Sequence, residues 1–374
     1  MLAQIRHGNL TVAGEGGFNT ASIERLNATF HGWLGALAHR ASTLQVWYIS
    51  DQTVYTFCTP RLAVALPVGQ RPILLEERRS VPPTATAPFH HLQALWFQLT
   101  GTLCNLECTH CFIACSPVNH QLKFLEPATV YRYLDEAVQH GVREVYFTGG
   151  EPFLHKQLLP ILMRSLQVAA TTVLTNGTLI TPAVADALAA LAAESRYSLE
   201  VRVSLDAVDE AQNDAVRGKG ALAKAVRALQ LLQERGLVPI VAVTEYVYAG
   251  QDTAGTPGTG NGLYKTFRDF LLAQGITKPR LKVIPVFVLG KLAGTLPAAT
   301  YVTPEMLAGF DYTTLQCSKS RMVADGGVYA CPLLVGEPGA LLSTATLTAA
   351  LQPCTLYHTA CHTCYVTGMT CANY

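Results

Sequence analysis

Residues 99–115 read LTGTLCNLECTHCFIAC and hold four of the eleven cysteines of the chain. Three of them, Cys104, Cys108 and Cys111, have the spacing C-x3-C-x2-C, and they follow an apolar run at 92–99 that has the length of a buried strand. Three thiolates on a loop at the end of a strand can bind three irons of one cubane cluster. The remaining iron would keep an open coordination position for a ligand.

Outward from this stretch, the sequence alternates between strand-like and helix-like segments. The predicted strands are 92–99, 144–147, 171–175, 199–205, 238–246 and 280–287. The predicted helices between them are 127–140, 156–166, 183–193, 221–235 and 265–274. This alternation predicts parallel strands with helices outside, with too few units for a closed eight-stranded barrel. We expect an α/β fold whose residues 91–300 form a partial (β/α)6 TIM-like barrel, with ligands at the carboxyl ends of the strands.

The segments on either side of the barrel are expected to be separate domains. Residues 1–90 are predicted to form an N-terminal α+β accessory domain of unknown role, with a helix at 20–41 followed by strands at 44–50, 53–58 and 62–67. Residues 301–374 are predicted to form a small Cys-rich C-terminal domain. Because this last segment has little periodicity and few apolar residues, we expect bound metal to stabilise it.

Composition excludes several classes of protein. The formal net charge of +1 does not fit a broad nucleic-acid interface, which needs a basic surface. No apolar run approaches the roughly 20 residues of a membrane span, and the first residues lack the apolar core of a signal peptide. A cytoplasmic location follows as an expectation. Because that compartment is reducing, the cysteines are expected to bind metal instead of forming disulfides.

Polar and glycine residues follow the second, third and fourth predicted strands. The second strand ends in residues 148–152, TGGEP, where paired glycines let the backbone approach a ligand closely. Taken alone, this motif also fits an ordinary strand-to-helix turn. Asn176 follows the third strand, and Ser204 and Asp206 lie at the end of the fourth, where they suit ribose hydroxyls. These positions converge on the predicted mouth of the barrel.

The cysteine spacing resembles the C-x3-C-x-Φ-C signature of the radical S-adenosylmethionine (radical SAM) superfamily, with His110 at the aromatic position. The resemblance implies a four-iron four-sulfur cluster whose unique iron binds the amine and carboxylate of S-adenosylmethionine. It implies an oxidoreductase that cleaves this cofactor reductively to a 5′-deoxyadenosyl radical, which abstracts a substrate hydrogen. A reductant such as flavodoxin or ferredoxin is the implied partner. A fourth thiolate from Cys115 would close the open iron, so we expect Cys115 to be a buried bystander.

The resemblance also assigns a cofactor site. The GGEP segment resembles the family's binding site for the methionine ammonium, and the segments around Asn176 and Ser204 are similar to those of relatives at these strand ends. Arg217 aligns with an arginine near the cofactor carboxylate, although a surface ion pair explains it equally well. The implied cofactor-binding residues are His110, Gly149, Gly150, Glu151, Pro152, Asn176, Ser204, Asp206 and Arg217.

Six further cysteines lie between residues 317 and 371. Gly326 and Gly327 predict a hairpin that brings Cys317 and Cys331 to one side, and Cys361 and Cys364 have chelating spacing. The arrangement resembles the SPASM and twitch extensions of the superfamily, which implies one or two auxiliary iron–sulfur clusters. The implied ligands are Cys317, Cys331, Cys361 and Cys364 first, then Cys354 and Cys371, with His358 and His362 as substitutes. A structural zinc site is the alternative.

We therefore expect a radical SAM enzyme that modifies a peptide or protein. The first alternative keeps this chemistry but has a small molecule or cofactor precursor as its substrate. The second is a non-catalytic iron–sulfur or zinc protein. The helix-first order predicted for residues 1–90 does not support the peptide assignment, because the peptide-recognition domain of many peptide-modifying relatives begins with strands.

Overall fold

The computed structural model describes residues 2–7, 10–15, 45–50, 53–58, 85–247, 261–294, 300–368 and 371–372. The chain divides into two compact units, Met1–Pro83 and Thr84–Tyr374. The boundary predicted at residue 300 falls within the second unit and stays a prediction. None of the helices in the described ranges is long and apolar enough to cross a membrane.

The first unit contains a four-stranded antiparallel sheet with the order β2-β1-β3-β4. Its strands are β1 Leu2–His7, β2 Leu10–Glu15, β3 Gln45–Ser50 and β4 Thr53–Cys58. The last two confirm the predicted strands, whereas the predicted helix at 20–41 and strand at 62–67 lie outside the described residues. The prediction that this region begins with a helix is wrong, because β1 and β2 come first. Gly8-Asn9 stands between these strands in the sequence and is a typical hairpin dipeptide, so the hairpin could have been predicted.

The second unit is built on a sheet that contains all six predicted barrel strands. They are β6 Ala94–Gln98, β7 Glu144–Thr148, β8 Ala170–Thr175, β9 Leu199–Leu205, β10 Ile240–Thr244 and β11 Arg280–Ile284. Each is parallel to its neighbour, in the sequential order β6 to β11. This arrangement confirms the α/β fold with a partial barrel, because consecutive parallel strands require crossover connections.

Helices provide most of these connections within the described ranges. They are α1 Pro127–Gln139, α2 Leu158–Ser165, α3 Pro182–Glu194, α4 Glu210–Arg217, α5 Ala221–Glu234 and α6 Asn261–Ala273. Five of them match predicted helices, and α4 was missed because it is short and mostly polar. Asp209 supplies its start signal, since the Asp209 carboxylate accepts a hydrogen bond from the Gln212 N–H.

The C-terminal segment continues the barrel sheet instead of folding apart from it. Strand β12 Ser320–Ala324 pairs in parallel with β6, and β13 Gly327–Tyr329 and β14 Leu341–Ser343 follow it antiparallel. The predicted diglycine hairpin is therefore β12–β13. A separate pair joins β5 Thr86–Ala87 to β15 Cys354–Thr355, and two short helices, α7 Leu347–Ala350 and α8 Thr359–Thr367, complete the segment. Strand β12 adds a seventh parallel strand to the six that the sequence predicts.

Alternate residues of the barrel strands face two different apolar layers. On β6, Leu95 and Phe97 belong to the large core between strands and helices, whereas Ala94 and Trp96 belong to a smaller cluster with Tyr146 and Met322. Because successive side chains of a strand point to opposite faces, the second set faces the barrel interior. This interior is where the candidate site lies.

Candidate active site

A cavity at the carboxyl ends of the barrel strands collects most of the predicted site residues. Thr148, Thr175, Ser204, Thr244 and Ile284 line it at the ends of five neighbouring strands. The predicted residues on its wall are Cys104, Cys108, His110, Cys111, Gly149, Gly150, Asn176, Ser204 and Arg217. The sequence prediction that these residues converge at the mouth of the barrel therefore agrees with their placement.

Residues 99–116, which we call the cysteine loop, are closed by backbone hydrogen bonds. The Cys104 N–H donates to the Ser116 carbonyl at 3.1 Å, and the Ser116 N–H donates to the Thr102 carbonyl at 3.3 Å. Within the loop, the Cys111 N–H donates to the Cys108 carbonyl at 3.2 Å. These bonds hold the three cysteines on one side of the cavity.

The three thiols have different electrostatic surroundings. Burial raises the pKa of Cys104 to about 12 and also raises that of Cys108, where Arg217 acts in the opposite direction. A hydrogen bond from Cys115 lowers the pKa of Cys111 to about 6. Since metal ligation requires thiolates, a positive iron centre would have to deprotonate the first two thiols. Three soft thiol donors on one wall are the donor set that an iron–sulfur cluster uses.

The second glycine of the GGEP motif is required by the cysteine loop itself. A Cβ on Gly150 would lie 1.8 Å from the Leu103 carbonyl oxygen and 2.8 Å from the Cys104 nitrogen. Both atoms are backbone, so neither could move without displacing the loop. Sequence reasoning assigned this glycine to close approach of a ligand, and the structure adds a close approach of the loop.

Glu151 lies behind the cavity wall and is fully buried. Its carboxylate accepts hydrogen bonds from the Thr175 hydroxyl at 2.7 Å, the Asn176 N–H at 2.8 Å and the Phe153 N–H at 3.1 Å. Burial raises the pKa of Glu151 to about 7, although these donors favour the ionised form. The carboxylate thus joins the ends of β7 and β8. Pro152 is also buried beside it and does not line the cavity.

Asp206 is the centre of a charged group behind the cavity. Its carboxylate lies 2.6 Å from Arg217 Nε and 2.8 Å from His110 Nε2, and it accepts a hydrogen bond from the Thr244 hydroxyl. Burial opposes its ionisation, but Arg217 and His110 outweigh it and lower the pKa of Asp206 to about 2. The surface ion pair considered for Arg217 is wrong, because this arginine is buried. Its ion pair with Asp206 holds the guanidinium at the cavity wall.

Two further predicted residues contact the cysteine loop or line the same wall. Asn176 Nδ2 donates to the Asn105 side-chain oxygen at 2.9 Å and lies 3.7 Å from Cys104 Sγ. Ser204 lines the cavity on β9. The ring of His110, an implied cofactor-binding residue, contacts Tyr246 edge-on, with ring centroids 5.1 Å apart.

Gly290 and Lys291 support the cysteine loop from the opposite side. A Cβ on Gly290 would lie 2.4 Å from the Cys111 carbonyl oxygen, and the Lys291 N–H donates to that oxygen at 3.0 Å. The Lys291 ammonium pairs with Glu107 at 2.5 Å. Both contacts of this segment are therefore with the cysteine loop.

The barrel interior contains a buried cation that sequence reasoning missed. Arg202 lines the cavity, and its Nη1 donates to the Cys371 carbonyl at 2.7 Å. Its guanidinium carbon lies 5.8 Å from the Tyr146 ring centroid. The signal was present in the sequence, because Arg202 and Ser204 alternate along β9 and so share one face, and Asp206 continues this alternation directly after the strand.

The second cysteine region, residues 317–371, surrounds another cavity. All six of its cysteines line this cavity, namely Cys317, Cys331, Cys354, Cys361, Cys364 and Cys371. Cys371 also lines the barrel cavity, so the two cavities adjoin at this residue. Among the described residues, no three His, Cys, Asp or Glu side chains are close enough to hold a single metal ion.

The thiols of this region are influenced by burial and by one another. Burial raises the pKa of Cys361 and of Cys371 to about 11. A hydrogen bond from Cys317 lowers the pKa of Cys354. His358, offered as a substitute ligand, accepts a hydrogen bond from the Ala360 N–H and begins α8. The His362 ring centroid lies 6.3 Å from that of Tyr365.

A comparison with known families gives a match over the cysteine loop and four of the barrel strands, β7 to β10. Residues 99–253 match the family described as the radical SAM superfamily. Its members use a four-iron four-sulfur cluster and S-adenosylmethionine. The match includes the cysteine loop, the GGEP motif and the Asp206 group, which are the features assembled around the barrel cavity.

Curated relatives align with about a third of the chain. A probable GTP 3′,8-cyclase of Methanosarcina mazei is 30% identical over 145 residues, which cover 37% of this chain and 41% of the relative. The mycofactocin maturase MftC of Mycolicibacterium smegmatis is 36% identical over 134 residues, covering 36% and 32%. The PqqA peptide cyclase of Granulibacter bethesdensis is 28% identical over 138 residues, covering 36% and 35%. The chain therefore spans less than half the length of these relatives.

Proposed function

We propose that the chain is a radical SAM enzyme that abstracts a hydrogen atom from a peptide or protein substrate. The observation that carries this proposal is a single cavity lined by Cys104, Cys108, Cys111, Asn176 and Arg217. Three thiol ligands for an iron–sulfur cluster and polar groups suited to S-adenosylmethionine thus line the same cavity. A purely structural metal site would not need these polar groups beside its cysteines.

In this account the bound cluster supplies the electron that cleaves S-adenosylmethionine into methionine and a 5′-deoxyadenosyl radical. The protein residues hold the reactants in position. Arg217 is suited to bidentate pairing with the methionine carboxylate, and Asp206 fixes its guanidinium from behind. Glu151 acts through its contacts with Thr175 and Asn176, since it does not reach the cavity. The polar ends of β8 and β9 would contact the ribose.

The second cysteine region is proposed to hold one or two auxiliary iron–sulfur clusters. Six buried or half-buried thiols around one cavity provide enough ligands for one fully ligated cluster, and for two if one of them has another ligand or an open iron. Because Cys371 borders both cavities, a cluster here would adjoin the substrate space. It could then accept an electron from the substrate or bind the substrate directly. A flavodoxin or ferredoxin is the proposed reductant.

The names of two relatives support the assignment of a peptide substrate. One relative is named a PqqA peptide cyclase and another a mycofactocin maturase. The GTP 3′,8-cyclase match favours the second candidate, a small molecule or cofactor precursor. The two candidates differ in one observable: only the first predicts a mass change in a short peptide encoded beside the gene.

The proposal is tested by anaerobic reconstitution. The reduced protein is mixed with S-adenosylmethionine, and 5′-deoxyadenosine is measured by mass spectrometry beside a Cys104→Ala/Cys108→Ala/Cys111→Ala variant. We expect deoxyadenosine from the wild type alone. A wild type that holds a reducible cluster and still makes none would contradict the proposal. Zinc in place of iron would support the non-catalytic alternative.

A further inference from the structure

Cys115 lies near the end of the cysteine loop and has no part in the proposed function. It is 3% exposed, and its backbone N–H donates a hydrogen bond to Cys111 Sγ at 3.2 Å. Cys111 is one of the three proposed cluster ligands. Cys115 therefore contacts a ligand sulfur directly.

The backbone is held in an unusual conformation to make this contact. Ala114 has a φ of 49°, and no other non-glycine residue in the described ranges has a positive φ. Its carbonyl accepts a hydrogen bond from Asn119 Nδ2 at 2.9 Å, which fixes the turn. A left-handed alanine is strained, and such strain is found where neighbouring structure requires it. Here the turn directs the Cys115 N–H at the Cys111 sulfur.

The Cys115 thiol also lies beside the Cys111 sulfur. Its single proton has two acceptors within reach, the Cys111 sulfur and the Gly149 carbonyl oxygen 3.9 Å away. The side chain is thus enclosed between the cysteine loop and the GGEP motif. It can donate its proton to Cys111 while Cys111 binds iron, because a thiolate ligand keeps lone pairs for acceptance.

We propose that Cys115 is a positioning residue that raises the reduction potential of the barrel cluster by donating hydrogen bonds to the Cys111 sulfur. Reduction adds negative charge to the cluster and its sulfurs, so donors aimed at a ligand sulfur stabilise the reduced form. Cys115 is then neither a fourth ligand nor an inert core residue. This inference rests on the proposed function, since it requires a cluster bound through Cys111.

The test is a reductive titration of the fully reconstituted protein, followed by electron paramagnetic resonance. The barrel cluster is identified as the signal that changes when S-adenosylmethionine is added. Cys115→Ala removes the thiol donor but keeps the backbone N–H, and we expect a shift to a more negative midpoint potential. Cys115→Ser keeps a donor, so its potential should lie between those of the alanine variant and the wild type. Iron per chain should be equal in all three proteins.

Ala114→Gly is the matched control, because glycine adopts positive φ without strain and leaves the Cys115 side chain in place. Its midpoint potential should equal that of the wild type. An unchanged potential in Cys115→Ala would overturn the inference, and loss of the barrel iron in that variant would make Cys115 a ligand instead. A wild-type paramagnetic resonance signal that does not change when S-adenosylmethionine is added would overturn the proposed function, and this inference with it.

Discussion

In the cysteine loop the three proposed ligands lie within residues 104–111, whereas the six thiols of the second cysteine region are spread over residues 317–371. The first set is brought together by local turns and by the backbone of neighbouring loops. The second set comes from a short turn, a strand, a helix and the segments between them. A compact motif can be read from sequence, while a dispersed set depends on tertiary contacts.

The two regions are also supported by different contacts. Glycines let other backbone segments pack closely against the cysteine loop, as Gly150 and Gly290 do. In the second region a fully buried side chain, Arg321, donates to the carbonyls of Cys317, Ser320, Ala350 and Gln352 at 2.5–2.7 Å. One arginine thus joins β12 to the segments that precede and follow it. A substitution that disrupts one region should therefore reduce iron binding in that region and leave the other region unchanged.

The largest effect is expected from Gly150→Ala. The added methyl group would overlap the Leu103 carbonyl, so the cysteine loop must move and the barrel cluster should be lost completely. Iron counting of the reconstituted variant should show only the auxiliary iron.

Gly141→Ala is the control for this variant. No atom lies within 4 Å of its Cβ, although its φ is +70°. It should lose roughly 1 kcal/mol of stability to backbone strain and keep all its iron. A full iron complement in Gly150→Ala would show that the loop does not need this contact.

The next effect is expected from Arg321→Met, which tests the second region. It removes the arginine donor from four carbonyl oxygens, and the bonds to two of them, Ser320 and Ala350, are buried. The expected cost is roughly 4 kcal/mol if each of these two oxygens costs about 2 kcal/mol when left without a donor. Urea unfolding should show this loss, and auxiliary iron should fall while the response of the barrel cluster to S-adenosylmethionine remains.

The exposed Arg227, paired with Glu234 at 3.0 Å, provides the control. Arg227→Met should cost less than about 1 kcal/mol. If Arg321→Met abolished the barrel response as well, the two regions would not be independent.

The smallest of the three effects is expected from Asp206→Asn, at about 3 kcal/mol, because it leaves the buried Arg217 without its anion. The pKa of Asp206 is lowered from 3.8 to about 2, so its contribution is complete above about pH 4 and is lost as the pH falls towards 2. Unfolding free energies of wild type and variant should therefore converge only in that acidic range.

Lys291→Ala is the matched control, since it removes an exposed ion pair with Glu107 and should leave the free energy of unfolding nearly unchanged. A stability difference between wild type and Asp206→Asn that stays constant down to pH 2 would mean that the ionised carboxylate contributes nothing.

The sequence predicted the barrel strands because their hydrophobic runs, separated by amphipathic helices, reflect local constraints. It also predicted which residues converge, since the carboxyl ends of parallel strands meet at one edge. It did not predict β12 as a barrel strand. Five buried residues beside a diglycine turn indicate a hairpin strand, but they do not indicate that this strand also pairs with β6. That Glu151 lies behind the cavity depends on the donors of β8, which no local pattern reveals.

The inward-facing residues show the same limit. Arg202 could be placed on the face of Asp206 by alternation, but its contact with the Cys371 carbonyl joins residues 169 positions apart. The support of Cys111 by Gly290 and Lys291 likewise joins the cysteine loop to the end of the barrel. Contacts between residues so far apart in the sequence cannot be predicted from local sequence patterns.

The central claim is that the cysteine loop, and not the second region, binds the cluster that reacts with S-adenosylmethionine. The most direct measurement compares the paramagnetic signal of the reduced protein with and without S-adenosylmethionine in two triple variants. Cys331→Ala/Cys361→Ala/Cys364→Ala should keep the change in signal, and Cys104→Ala/Cys108→Ala/Cys111→Ala should lose it. A change that persists in the second of these variants would contradict the account.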